Sequence, residues 1–234
     1  IDRLMIFMPP RHGKSELASK RFPAWCLGRD PKRQIIAASY NSDLANDFGR
    51  NVRNLVAEPE FGQVFPNVSL APDSQAANRM NTNHKGAYVA AGVGTAVTGR
   101  GAHIALIDDP FKDREEADSE RRRDLVWDWY RSTLYTRLMP GGAIVLIQTR
   151  WHEDDLAGRI LEQEAGQWEV LELPAINKVG EPLWPEWYNL EALNRIKATI
   201  GPREWSALYQ QQPQPDEGTF FKREWFNTWD KLPE

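Results

Sequence analysis

The sequence predicts an α/β fold, a mainly parallel sheet covered by helices, and three observations predict it. Short apolar runs alternate along the chain with amphipathic stretches, which is how strands buried on both faces read beside the helices that cover them. The length of 234 residues suits one such domain, or one with a small appendage, and is enough to bury a substantial core. The composition agrees, with 41% hydrophobic and 26% charged residues, and no apolar run approaches the ~20 residues of a membrane span.

Strands are expected at Leu4–Met8, Gln34–Ser39, Ala87–Ala91, His103–Asp108, Ala143–Gln148 and Trp168–Leu173, each a short apolar run bounded by turn residues. Helical patterns lie between them. Lys14–Leu27 follows the first strand, Ser42 or Asp43 can cap Leu44–Val56, and Asp154 or Asp155 can start a helix through Leu161. The longest helical pattern runs from about Arg114 to Leu138, with Val126, Tyr130, Leu134 and Leu138 every fourth residue and a polar first third. In that third, Arg121 to Arg123 read as a solvated face, because acidic neighbours such as Asp118 surround them.

The segment Gly92–Gly101, G-V-G-T-A-V-T-G-R-G, requires a tight turn or a close backbone approach before the His103 strand. Beyond Leu173 the texture changes: Pro174, Pro182 and Pro185 punctuate a loop-rich stretch, and helical patterns follow at Leu190–Ile200 and Pro202–Gln211. The expected division is a core over residues 1–174 and a small subdomain with a C-terminal linker over 175–234. Of the ten tryptophans, Trp25, Trp127, Trp129, Trp151, Trp168, Trp205 and Trp229 sit in or beside regular segments and read as packing anchors rather than base-stacking groups.

Charge and cysteine usage narrow the setting. A net charge of −4 is no signature of a nucleic-acid binder, so partners must be argued from sites. The single cysteine, Cys26, excludes an intramolecular disulfide and fits a reducing compartment. Arg3 precedes only a short apolar stretch that turns at Pro9, which is not a secretory pattern. The expected setting is the cytosol.

Three motifs carry chemistry. After the first strand comes M-P-P-R-H-G-K-S, with Gly13-Lys14-Ser15 opening a helix whose free N–H groups and dipole favour a phosphate. A full phosphate-loop pattern has glycine where this chain has Met8, so by itself the tripeptide also fits an ordinary helix start. Pro9 and Pro10 stiffen the turn and donate nothing. Backbone N–H groups of His12, Gly13, Lys14 and Ser15 are placed to wrap a β-phosphate, Lys14 to reach the β/γ oxygens, Ser15 to ligate Mg²⁺, and Arg11 to add a cation toward the γ-phosphate.

The second motif, H-I-A-L-I-D-D-P, ends an apolar strand in two carboxylates. Asp108 suits the Mg²⁺ and Asp109 the attacking water as general base, with Glu115 and Glu116 as fallbacks because aspartate is shorter than the usual glutamate. Arg100 is the candidate for charge compensation on the departing phosphoryl group, and Arg150 the runner-up. The third motif, I-V-L-I-Q-T-R-W-H-E-D-D-L, places Gln148, Thr149 and Arg150 at another strand end, to sense the γ-phosphate and couple its loss to motion. His152, Glu153, Asp154 and Asp155 read as a helix start rather than a metal site.

Taken together, R-H-G-K-S-E, T-G-R-G-A-H-I-A-L-I-D-D-P, I-Q-T-R-W-H-E-D-D-L, L-Y-Q-Q-Q-P and G-T-F-F-K-R-E-W-F resemble the ATPase domain of the large terminase subunit of tailed bacteriophages and prophages, over nearly the whole chain. The resemblance implies a P-loop NTPase fold of the additional-strand, conserved-glutamate class, binding ATP and Mg²⁺. The implied activity is DNA packaging: double-stranded DNA is driven through a portal protein into a procapsid, by a homo-oligomeric ring, with a small terminase subunit, in the bacterial host cytoplasm and with no membrane.

Position by position, the resemblance makes Lys14 and Ser15 the Walker A residues, Asp108 the Walker B aspartate and Asp109 the counterpart of the catalytic glutamate. Gln148 and Thr149 fall on the coupling motif, and Arg100 on a loop arginine acting across subunits. The family's adenine-binding segment lies upstream of the first strand and its ribonuclease-H-like nuclease downstream, so the chain is expected to be an excerpt that cuts no DNA. Two other readings stay open: a helicase-like ATPase or phosphotransferase on the same fold, and a nucleotide-binding module without turnover. Arg50, Arg53, Arg121 to Arg123, Lys222 and Arg223 are candidate nucleic-acid contacts with no advantage over a solvated surface.

Overall fold

The computed structural model describes residues 2–97 and 99–214. The expected linker from Pro215 on, the G-T-F-F-K-R-E-W-F motif, Lys222, Arg223 and Trp229 lie outside the described residues. Eight strands form one sheet: β1 (Arg3–Phe7), β2 (Gln34–Ser39), β3 (Leu70–Ala76), β4 (Arg79–Thr82), β5 (Ala87–Gly92), β6 (Ala102–Asp108), β7 (Leu138–Gln148) and β8 (Glu169–Glu172). Their order is β3-β4-β5-β2-β6-β7-β1-β8. From β5 to β8 every neighbour is parallel, whereas β3 and β4 form an antiparallel hairpin added at the β5 edge.

The six expected strands are all present, with Trp168 just outside β8 and β7 beginning at Leu138. The β3–β4 hairpin was not foreseen. Its first strand, L-A-P-D-S-Q-A, lacks an apolar alternation and carries Pro72, which an edge strand tolerates because one row of its N–H groups needs no partner.

Strand alternation feeds two apolar layers. Met5, Phe7, Ile36, Ala38, Ala105, Ile107, Ile144 and Leu146 face one side, against Val126, Trp127, Trp129, Tyr130, Leu134 and Ile160. Ile35, Ala37, Ile104, Leu106, Val145 and Ile147 face the other, against Leu27, Val52 and Val56. The second layer belongs to α1 (Phe22–Arg29) and α2 (Ser42–Ala57), after which comes a short α3 (Pro59–Val64) that the sequence reading did not foresee. The α2 cap is Asn41, whose side chain accepts from Leu44 N at 2.9 Å, so Ser42 and Asp43 occupy the first turn instead.

The helix expected over Arg114–Leu138 is broken. It consists of α4 (Arg114–Asp118), α5 (Glu120–Trp129), a wide turn at Tyr130–Leu134 and a tight one at Tyr135–Arg137. Ser119 makes the break: its backbone is extended (φ −75°, ψ 109°) and its hydroxyl accepts from Arg122 N, capping α5. A four-residue apolar period cannot register such a break, because capping depends on one residue's backbone and not on which face is buried. Arg122 pairs with Glu116 at 2.9 Å and Arg123 with Asp154 at 2.9 Å, while Asp118 pairs with Arg203 at 3.0 Å.

After β7, Asp155 caps α6 (Leu156–Gln163) by accepting from Gly158 N at 3.0 Å. The segment following β8 builds its own small apolar cluster of Ala175, Leu193 and Trp205, with Ile176, Tyr188 and Ile196 packed on it. It contains α7 (Leu190–Glu204), interrupted at Gly201 (φ 79°), and a further turn at Trp205–Tyr209. Of the tryptophans read as packing anchors, Trp127, Trp129, Trp168 and Trp205 are buried, whereas Trp25 is 53% exposed. No helix among the described residues is long and apolar enough to cross a membrane.

Candidate nucleotide site

Parallel order brings the C-terminal ends of β2, β6, β7 and β1 to one edge, where ligands of α/β sheets bind. The loop after β1 runs from Met8 to Gly13, and the chain is helical from Lys14. Two residues of this loop have left-handed backbone, Arg11 (φ 62°) and Gly13 (φ 86°). Glycine meets that requirement without the Cβ clash that Arg11 carries. Leu17 N donates to Gly13 O at 3.1 Å, closing the first turn, and a wide turn at Glu16–Arg21 leads into α1.

Lys14 ties the three motifs together. Its Nζ lies 2.7 Å from Asp109 Oδ2 and donates to Thr149 Oγ1 at 2.9 Å. Asp109 is held at every polar atom: its N donates to Ile147 O, its O accepts from Tyr40 N, and its Oδ1 accepts from Thr149 N at 2.9 Å. Those bonds maintain a left-handed backbone (φ 46°) at a residue with a side chain, the kind of strain that persists only where neighbours over-determine it. Thr149 Oγ1 also donates to Met8 O at 3.2 Å, closing the ring back onto the loop.

Asp108, one residue earlier, is 2% exposed. Its Oδ2 accepts from Ser19 Oγ at 2.5 Å, while Oδ1 has no hydrogen-bond partner among the described residues. Burial first, and then the Asp109 charge, push its pKa up to about 6; Lys14 and the Ser19 and Ser15 hydroxyls only partly offset this. On the neighbouring strand ends, the Ser39 hydroxyl and both amide atoms of Gln148 are also buried without partners among the described residues. Native proteins leave few such groups, and these four atoms fall on three adjacent strands, β2, β6 and β7. An unpaired carboxylate oxygen with a hydroxyl beside it is a donor set that fits Mg²⁺, a hard cation preferring oxygen.

His12 is buried, with Nδ1 donating to Pro10 O at 2.8 Å and its ring stacked on Tyr188 at 4.7 Å. Burial, with Lys14 nearby, lowers its pKa and keeps it neutral. Arg11 is exposed, with no hydrogen bond or ion pair among the described residues. A cavity of about 910 Å³ opens beside the loop, lined by Pro10, Arg11 and Gly13 to Glu16.

The other candidates lie apart from this cluster. Arg100 lines a groove with Asn78, Val89 and Ala90 on the β4–β5 side. The glycine-rich segment before it approaches closely, as expected: a Cβ on Gly92 would stand 2.7 Å from Ser42 N. Arg150 is turned away, its Nε donating to buried Asp155 at 2.9 Å and its guanidinium stacked over Phe7 at 5.0 Å. Glu116 pairs with Arg122, and its Oε2 accepts from Lys112 N. Sequence reasoning missed Ser19 as the partner of Asp108; its signal was the four-residue spacing from Ser15 on the same helical stretch.

The fold and the sequence both have recognisable relatives. The large terminase of bacteriophage HK97 superimposes with a TM-score of 0.61 at 14% identity, over 91% of this chain and 47% of that one. A mutant ATPase domain of the Thermus phage P74-26 large terminase gives 0.62 at 14% identity, covering 91% of this chain and 89% of that one. The large terminase of a thermophilic bacteriophage, in complex with ADP, gives 0.53 at 9% identity, over 88% and 46%. The chain thus spans about half the length of the HK97 and thermophilic-phage proteins and nearly all of the isolated P74-26 domain. No curated protein sequence matches. The sequence model described as "Terminase large subunit, T4likevirus-type, N-terminal" matches residues 5–228, so this P-loop α/β chain belongs to the family of terminase large subunit N-terminal domains.

Proposed function

We propose that the chain is the ATP-hydrolysing motor domain of a viral DNA-packaging terminase, coupling Mg-ATP hydrolysis to movement of double-stranded DNA into a procapsid. One observation carries this reading: the Lys14 ammonium bridges the carboxylate of Asp109 and the hydroxyl of Thr149 at the mouth of the phosphate loop. In that position Lys14 neutralises Asp109, and a γ-phosphate competes for the same ammonium. Nucleotide entry then releases Asp109, whose backbone is already locked, to orient and deprotonate water. Thr149, bonded to both Lys14 and Asp109, carries the change to β7.

Ser15 and Asp108 are the residues placed to hold Mg²⁺, which when bound neutralises charge on the β- and γ-phosphate oxygens. The buried Gln148 amide, lacking partners among the described residues, is the sensor group on the same strand end. Arg100 lies apart from the cluster and suits a neighbouring subunit of a ring better than its own site. The reading keeps residues 1–174 as the ATPase core and 175–234 as a small subdomain and linker. It also keeps portal protein, small terminase subunit and DNA as partners, in the cytoplasm of a bacterial host. The large terminase of the thermophilic phage was crystallised with ADP and with ATP-γ-S, which supports a nucleotide at this loop.

The test is turnover by the assembled protein with portal and DNA. Lys14→Ala and Asp109→Asn are each expected to lower ATP hydrolysis by at least ~10²-fold, the usual scale for a lost acid–base or electrostatic group. Parent-like turnover by either variant sinks the assignment. Mixed rings of Arg100→Ala and Lys14→Ala subunits are expected to recover part of the activity, because each supplies what the other lacks; the absence of any recovery removes Arg100 from the trans role.

A further inference from the structure

Three aromatic residues that share a cavity with the phosphate loop have no part in the chemistry above. Trp184, Trp187 and Tyr188 also line it, and they come from the loop-rich stretch before α7, far along the chain from Gly13. Tyr188 is committed to docking, since its ring stacks on His12 at 4.7 Å and an interplanar angle of 18° and it packs on the small apolar cluster. The two tryptophans are not so engaged: Trp184 is 42% exposed and Trp187 is 64% exposed.

Large aromatic surfaces left in water are costly unless they have an occupant. The pair is nonetheless fixed in place. Trp187 N and Tyr188 N both donate to Trp184 O, at 3.1 and 2.8 Å, and the two indoles stand 5.9 Å apart at 30°. The Trp184 ring also flanks the loop itself, with its Cζ3 3.8 Å from where a Cβ on Gly13 would lie. One cavity of about 910 Å³ is therefore lined both by cations and backbone donors, from Arg11, Gly13 and Lys14, and by two partly exposed indoles, Trp184 and Trp187. That volume is in the range of small-ligand pockets, ~300–1,000 Å³.

We infer that Trp184 and Trp187 form a platform on which the base of the bound nucleotide stacks, so that the segment before α7 contributes to base recognition. The inference rests on the ATP site proposed above. An anionic phosphate chain joined to a flat aromatic base matches the two kinds of lining, and the Trp184 ring lies close to Gly13 of the phosphate loop. Stacking uses the π-face that all bases share, so the platform strengthens adenine and guanine nucleotides alike.

The test is calorimetric titration of the full chain with Mg-ATP, Mg-GTP and Mg-tripolyphosphate, the last carrying phosphates and no base. Trp184→Ala and Trp187→Ala are expected to weaken both nucleotides by about 5- to 150-fold, the span of lost base stacking, and to leave tripolyphosphate unchanged. Trp187→Phe is expected to retain most of the affinity. The inference is overturned if nucleotide and tripolyphosphate binding fall together, if neither changes, or if the variants alter only self-association measured by sedimentation. Lys14→Ala separates the two readings. Loss of all three ligands in Lys14→Ala, beside tryptophan variants that bind like the parent, overturns the platform alone; a Lys14→Ala protein that binds all three normally overturns the platform and the ATP site together.

Discussion

Replacing Asp108 with asparagine sets the demands of the site directly against those of the fold. In the folded chain the Asp108 carboxyl is raised from its ordinary 3.8 to about 6. At roughly 1.36 kcal/mol per pH unit, its ionised form therefore costs ~3 kcal/mol of folding stability at neutral pH. The folded protein holds the proton more tightly than the unfolded chain, so stability falls as pH rises from about 4 to 6 and this contribution is flat above. Asparagine removes the charge, keeps an oxygen for Ser19, and adds an amide that lacks a partner, at a pH-independent cost of about 1–3 kcal/mol.

The sharp readout is therefore the difference between variant and parent at two pH values, in which the amide cost cancels. Between about pH 7.5 and about pH 5 the parent is expected to recover about half of its ~3 kcal/mol, so the advantage of the variant shrinks by roughly 1 kcal/mol. Urea denaturation of both proteins without nucleotide measures this. Stabilisation by added Mg-ATP is expected in the parent and lost in the variant. A variant-minus-parent difference that is the same at both pH values would refute the argument that burial disfavours the Asp108 charge.

Two further substitutions separate structural from site roles. Arg150→Ala leaves Asp155, which is fully buried, without its ion-pair partner, and is expected to cost about 3–5 kcal/mol; adding Asp155→Asn should return part of this in a thermal melt, since an amide still caps α6 without a buried charge. Gln148→Leu removes an amide whose two atoms are both buried and unpartnered among the described residues, so it is expected to raise stability by about 1–3 kcal/mol while uncoupling DNA movement from ATP turnover, as read by packaging assays against phosphate release.

How much the sequence disclosed depends on which physical signal each feature leaves in it. Burial on both faces makes a central strand apolar throughout, so β1, β2, β5, β6 and β7 were legible as runs, and a parallel sheet then placed their C-terminal ends at a common edge. Motif residues at those ends, Gly13 to Ser15, Asp108, Asp109, Gln148 and Thr149, were legible for the same reason. The added hairpin and the helix break leave no such mark: the β3–β4 hairpin needs only backbone pairing to β5, and the Ser119 break depends on a single cap.

The sequence by itself determined the fold class, the family and the row of residues at the sheet's edge, because local pattern and spacing encode burial and backbone conformation. Only the tertiary structure decided the partnerships. Lys14 meets Asp109 and, 135 residues further along the chain, Thr149; Ser19 rather than a neighbour in sequence holds Asp108, and Arg150 is claimed by Asp155 instead of the phosphate loop. Trp184 reaches Gly13 from the far end of the chain. Side-chain contacts of this kind are set by which strands lie side by side, and β1 becoming the neighbour of β7 and β8 is a property of chain crossing and not of any local segment.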